Sequence, residues 1–100
     1  MNNVIVPRSA PVLMVLYGNA DCGPCRALKE RLTSFAQSNE EIAFSYRDLA
    51  EYAQEAAQLS VFTAPTLLVY VQGELTLREA GCFSLNTVFQ KIERYLRLLG

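Results

Sequence analysis

Six consecutive apolar residues, Val12-Leu13-Met14-Val15-Leu16-Tyr17, lead almost directly into Cys22-Gly23-Pro24-Cys25, and a segment of helical periodicity follows at once. Continuous rather than alternating apolarity reads as a strand buried on both faces, as in the centre of an α/β sheet. Gly18 to Asp21 makes the turn. From Gly23 to about Ser38, the residues Cys25, Leu28, Leu32, Phe35 and Ala36 recur at intervals of three and four, and Arg26, Lys29, Glu30 and Arg31 fill the other face. Pro24 falls in the first turn, where its missing N–H costs nothing. The two cysteines therefore stand at a strand-to-helix junction. Such a pair reads in three ways: a redox dithiol, half of a zinc site, or two small buried hydrophobes.

The rest of the chain continues the α/β pattern. Ile42, Phe44 and Tyr46 alternate with Ala43, Ser45 and Arg47, a strand with unequal faces. Asp48, with Glu51 three residues on, resembles a capping box for a helix over about Leu49 to Leu59. Ser60 to Thr63 is a loop, and Ala64-Pro65 precedes a second strongly apolar strand, Thr66 to Val71. Gln72-Gly73 makes a tight turn into Glu74 to Glu79, which alternates cleanly. Ala80-Gly81-Cys82 ends that strand, and Ser84 can cap a last helix carrying Leu85, Val88, Phe89, Ile92, Leu96 and Leu99 on one side.

The expected order is strand, helix, strand, helix, strand, strand, helix. Helices link the first three strands, so these are expected to be parallel, with the fourth antiparallel through the hairpin. The expected fold class is α/β: a four-stranded mixed sheet with helices on both faces. Residues 1–11, with Pro7, Pro11 and the short apolar patch Val4-Ile5-Val6, read as a lead-in that offers at most a short edge strand. Residues 12–100 read as one domain.

One hundred residues can hold one core without disulfide staples. An apolar fraction of 51% leaves room for an exposed contact patch. Net charge is −1 with no basic cluster, so neither nucleic acid nor a membrane surface is an expected partner. The absence of histidine excludes Ser-His and Cys-His catalysis and His-ligated zinc. Three cysteines do not make a secreted disulfide framework; they fit a reactive pair plus one spare thiol, and the cytoplasm is the expected compartment. The apolar runs are too short to span a bilayer. Arg8 followed by Ala10 to Tyr17 faintly imitates a signal peptide ending at Gly18-Asn19-Ala20, but cleavage there would remove the strand behind the cysteine motif.

A cysteine at a helix N-terminus meets backbone N–H groups without intrahelical partners and the positive end of the helix dipole, which stabilise its thiolate. Cys25, nearly one turn later, faces Cys22 and can close a disulfide with it. Cys25 also belongs to the apolar series. Cys22 is thus the expected exposed nucleophile and Cys25 the buried resolving thiol. A zinc site needs two more ligands and only Cys82 remains among the cysteines, so no metal and no cofactor beyond the pair is expected. A metal or iron–sulfur cluster bridging two copies through two such pairs stays as an alternative.

At these residues the chain resembles the thioredoxin family. Cys22-Gly23-Pro24-Cys25 is identical to that family's CGPC, Ala64-Pro65-Thr66-Leu67 resembles its cis-proline signature, Gly73-Glu74 its hairpin turn and Gly81 the glycine before its last helix. The resemblance covers roughly residues 12–99. It implies a thioredoxin fold, in minimal form, and a protein disulfide oxidoreductase that reduces protein disulfides through a mixed disulfide. It implies that Cys22 and Cys25 are catalytic and that Pro65 is cis. It also implies that Thr63, Ala64 and Gly81 line a peptide groove beside Gly23 and Pro24, with the Ala64 backbone offered to an extended substrate. Partners would be disulfide-bearing proteins and a thiol reductase as electron donor; the chain would be a monomer or weak homodimer.

Several residues depart from the family pattern. Asp21 stands where Trp is usual, and its carboxylate would disfavour a Cys22 thiolate. Leu16 stands where the family carries a buried acid assigned to proton transfer with the resolving cysteine, and the lysine usually paired with that acid would fall near Tyr46. Arg26 can favour a thiolate but is expected to be a solvated helix residue. Cys82 is either a third thiol on the substrate side or, as expected, a small buried side chain. These departures support an alternative function, a slow or non-catalytic peptide-binding or regulatory module.

Overall fold

The computed structural model describes residues 10–100; the Val4-Ile5-Val6 patch and most of the expected lead-in lie outside the described residues. The elements are β1 (Val12–Gly18), α1 (Gly23–Gln37), β2 (Ile42–Asp48), α2 (Ala53–Gln58), β3 (Thr66–Val71), β4 (Glu74–Ala80) and α3 (Leu85–Leu99). They form one four-stranded sheet in the order β2-β1-β3-β4.

Every residue of β1 is buried because the strand has neighbours on both edges and a packed layer on each face. Its side chains alternate between two cores. Val12, Met14 and Leu16 pack with Leu32 of α1 and with Leu85, Val88 and Ile92 of α3. Leu13, Val15 and Tyr17 pack with Ala56 of α2 and with Val61, Leu68 and Tyr70. Helices therefore cover both faces, α1 and α3 on one and α2 on the other. The Phe35 and Phe89 rings stack with centroids 3.9 Å apart and join α1 to α3. Burying a leucine of this set contributes roughly 2–3 kcal/mol each.

Two expectations are corrected. β2 runs parallel to β1, but β3 is antiparallel to it, with Tyr17 opposite Thr66 and Val12 opposite Val71. A parallel β3 would need a connection that returns along the sheet. The connection instead begins beside the end of β1, where Leu49 N–H donates to the Gly18 carbonyl at 2.8 Å. It then crosses the face of the sheet, until the Leu59 carbonyl accepts from Arg78 Nη2 of β4 at 2.6 Å. The second correction is the start of α2, four residues later than the capping-box pattern predicts. Asp48 Oδ1 accepts from the Ala50 N–H at 2.8 Å and closes a turn instead of capping a helix.

The hairpin between β3 and β4 forms as the sequence predicts. Gln72 and Gly73 have φ of 52° and 83°, both left-handed, as a two-residue type I′ turn requires. Ser84 caps α3, its Oγ accepting from the Thr87 N–H at 3.2 Å.

Candidate functional site

β1 delivers the chain to the motif and a short turn redirects it. The Asn19 carbonyl accepts from the Cys22 N–H at 3.2 Å, and Asn19 Oδ1 accepts from the Asp21 N–H at 3.1 Å. Cys22 is the N-cap of α1, with φ −92° and ψ 101°; its side chain makes no capping hydrogen bond, and the first turn of the helix holds no acidic residue. The positive end of the helix thus faces the cysteine pair without a competing carboxylate in that turn. Cys22 and Cys25 are joined by a disulfide, their Cα atoms 5.3 Å apart. Cys25 is 3% exposed, whereas Cys22 is only half-buried, so Cys22 carries the accessible sulfur.

The antiparallel course of β3 brings a second segment to the same end of the sheet. Thr66 pairs with Tyr17, next to the end of β1, and the Ala64–Pro65 bond that precedes it is cis. Thr66 Oγ1 donates to the Thr63 carbonyl at 2.7 Å and ties the loop to the strand. Gly81 supplies the third segment: its N–H donates to the Pro65 carbonyl at 3.0 Å. Thr63 and Gly81 are exposed, Ala64 is half-buried and Pro65 is buried. Phe62, just before them, is 74% exposed, an apolar side chain that the sequence pattern did not single out.

Asp21 and Arg26 are both exposed. Cys82 corrects an expectation: it is a free thiol and exposed, not a buried filler. Gly81, with φ 71°, turns the chain between β4 and α3 so that residue 82 stays outside the core.

Behind the motif, toward β2, lies an open pocket of about 650 Å³ whose lining includes Cys22, Cys25, Arg26, Lys29, Glu30 and Tyr46. In the sequence Lys29 belongs to a solvated helix face and Tyr46 to a strand, and no local pattern joins them. Lys29 Nζ stands 4.5 Å from the centroid of the Tyr46 ring. Tyr46 lies directly across from Leu16 in the parallel register. Burial, and then the charge of Asp48, raises the Tyr46 phenol above its ordinary pKa. Its proximity to Cys25 passes through Gly18, a position the sequence marks only as a turn. A Cβ placed at Gly18 would stand 2.8 Å from Tyr46 Oη and 2.9 Å from Cys25 Sγ.

A separate polar group lies on the α2 face. The Tyr17 hydroxyl donates to Glu55, and Arg47 pairs with Glu55 at 3.6 Å. Burial first, and then the Glu55 contact, pushes the Tyr17 phenol well above its ordinary pKa. Among the described residues, no three Cys, Asp or Glu side chains cluster as metal ligands would, and no helix is long and apolar enough to cross a membrane.

The family model described as Thioredoxin matches residues 2–94. Among curated relatives, the thioredoxin of Echinococcus granulosus is 36% identical over 52 residues, which cover 52% of this chain and 49% of that protein. The thioredoxin-like protein YdfQ of Bacillus subtilis is 31% identical over 77 residues, 77% of this chain and 69% of that protein. The match thus spans about half the length of the Echinococcus protein. Among solved structures, thioredoxin 1 of Thermosipho africanus superposes with a TM-score of 0.79 at 29% identity, covering 86% of this chain and 96% of that one.

Proposed function

The chain belongs to the thioredoxin family and has its fold, and from that premise we propose that it is a protein disulfide oxidoreductase, a dithiol reductant of protein disulfides. The observation that carries this reading is the asymmetry of the pair: a half-exposed Cys22 at the helix N-terminus, bonded to a Cys25 that is 3% exposed. In the dithiol form, the Cys22 thiolate attacks one sulfur of a substrate disulfide and the other sulfur leaves as a thiol. The Cys25 thiolate then attacks Cys22, breaking its bond to the substrate sulfur. Two electrons pass to the substrate and the Cys22–Cys25 disulfide remains.

Substrate lies in a groove at this end of the sheet, beside the pair. Gly23 and Pro24 form one wall, and Thr63, Ala64, Pro65 and Gly81 the other. The Ala64 backbone beside the cis bond can hydrogen-bond an extended peptide as an added strand would. The exposed Phe62 offers apolar contact next to it. No cofactor is needed beyond the cysteines, since the electrons reside in the pair. A thiol reductase returns the disulfide to the dithiol, and a reducing compartment such as the cytoplasm keeps it there. The working unit is a monomer or weak homodimer. Around Cys22, the Asp21 carboxylate opposes thiolate formation, and the helix terminus and Arg26 favour it.

Leu16, fully buried where the family pattern carries an acid, favours a second reading, a slow or regulatory peptide-binding module. Reduction of insulin by dithiothreitol separates the two. The oxidoreductase accelerates it well above the rate given by a Cys22→Ser variant; equal rates would leave the module reading.

A further inference from the structure

Leu16 gives Cys25 no polar atom, and the next residue of β1 on the same face is Gly18. The space that a side chain at position 18 would occupy is taken by two other residues. Tyr46 Oη comes within 2.8 Å of where that Cβ would stand, and Cys25 Sγ within 2.9 Å. The hydroxyl and the sulfur therefore stand no further apart than one bridging water spans.

We propose that Tyr46 is the polar partner of the resolving thiol: in the dithiol and mixed-disulfide states its O–H donates a hydrogen bond to Cys25 Sγ, directly or through one water, and stabilises the thiolate that attacks Cys22. The inference deepens the oxidoreductase reading and rests on it. The Cys25 proton passes to water in the open pocket. The thiolate forms the Cys25–Cys22 bond as the bond from Cys22 to the substrate sulfur breaks, and the departing substrate thiolate takes a proton from solvent. Tyr46 keeps its own proton throughout. Its raised pKa supports that role, because a phenol that resists ionisation remains a donor wherever the thiol titrates.

The charges around the pair fit. Lys29 from α1, against the Tyr46 ring, adds positive potential on the side where the thiolate forms. Arg26 and Glu30 of α1 share the pocket, and Asp48 of β2 is the further charge acting on the phenol. β1 contributes only Leu16 and Gly18 at this point. A phenol is a hydrogen-bond donor and not a base at neutral pH. It can therefore lower the pKa of Cys25 without removing the proton itself, unlike a buried carboxylate.

The test is the pKa of Cys25, read by ultraviolet thiolate absorbance in a Cys22→Ser, Cys82→Ser background, with and without Tyr46→Phe. That substitution removes one oxygen and keeps the ring. A hydrogen bond to a charged group is strong enough to shift the thiol by about one pKa unit or more, so the Phe variant is expected to titrate at least about one unit higher. Resolution of a preformed mixed disulfide at neutral pH then slows about threefold, since tenfold less thiolate is partly offset by the greater nucleophilicity of a more basic sulfur. An unchanged Cys25 pKa in the Phe variant would overturn the proposal. The pKa is read without substrate, so it decides the role of Tyr46 even if the unsubstituted chain reduces no disulfide, a result that would count against the oxidoreductase reading alone.

Discussion

Gly81 donates its N–H to the carbonyl of Pro65 at 3.0 Å, and this bond ties the end of β4 to the cis-proline segment, at the same end of the sheet as the cysteine pair. It forms because β3 and β4 are hairpin-paired up to Thr66 opposite Ala80, and Gly81 then turns away with φ 71°. A Cβ at that φ is strained even though nothing crowds it. Gly81→Ala is expected to cost about 1–2 kcal/mol in denaturant unfolding. It should also weaken substrate binding more than the chemical step, seen as a raised KM in insulin reduction with kcat less affected. A variant as stable as the parent would show that the turn is not under this constraint.

Gly18 is demanding for a different reason, crowding. Alanine there would place a methyl group 2.8 Å from Tyr46 Oη and 2.9 Å from Cys25 Sγ. Overpacking of this kind costs about 1–3 kcal/mol. The phenol oxygen is the removable obstacle, so adding Tyr46→Phe to Gly18→Ala is expected to recover part of the loss. Additive destabilisation in a thermal double-mutant cycle would contradict the shared space.

Leu16→Asp restores the family's acid to a core that has no lysine opposite it; Tyr46 stands there instead. Leu16 is fully buried among apolar side chains. The carboxylate is expected to cost several kcal/mol at neutral pH. Burial raises an acid's folded pKa, so the native state holds the proton where the unfolded chain has lost it, and stability falls as pH rises from about 4. Urea unfolding at acid and neutral pH checks this; equal losses at both would show that the charge is not the cause.

Tyr17, Tyr46 and Tyr70 all have phenols raised above the ordinary value of 10.0, each chiefly by burial. The native state keeps these protons at a pH where the unfolded chain has released them. Their stabilisation is therefore complete below pH 10 and is lost above it. Steep alkaline unfolding is expected, and Tyr17→Phe should make it shallower while removing the hydroxyl that Glu55 accepts from. An alkaline limb of the same slope in the Phe variant would contradict this origin.

Much of this architecture is written in local pattern. The unbroken apolarity of Val12 to Tyr17 marks the central strand, the spacing of Cys25, Leu28 and Leu32 marks α1, Gln72-Gly73 marks the hairpin and Ser84 the start of α3. What escapes is non-local. An apolar β3 has the same composition in either direction, and its direction follows from the course of the whole connection across the sheet. Asp48 and Glu51 look like a capping box, yet the Asp48 side chain is taken by Ala50. The meeting of Tyr46 and Cys25 depends on strand register and on an absent side chain at Gly18, and neither is visible in a local window. Cys82 lies outside the core because of the left-handed turn at Gly81, which composition alone does not orient.

The most direct measurement is capture of the intermediate. A Cys25→Ser, Cys82→Ser variant, left with one thiol, is mixed with a disulfide-bearing protein and the adduct is mapped by mass spectrometry. A stable mixed disulfide at Cys22, released when the pair is intact, is the expected result. No adduct at Cys22 under conditions that leave the variant folded would contradict the assignment of Cys22 as nucleophile and Cys25 as resolving thiol.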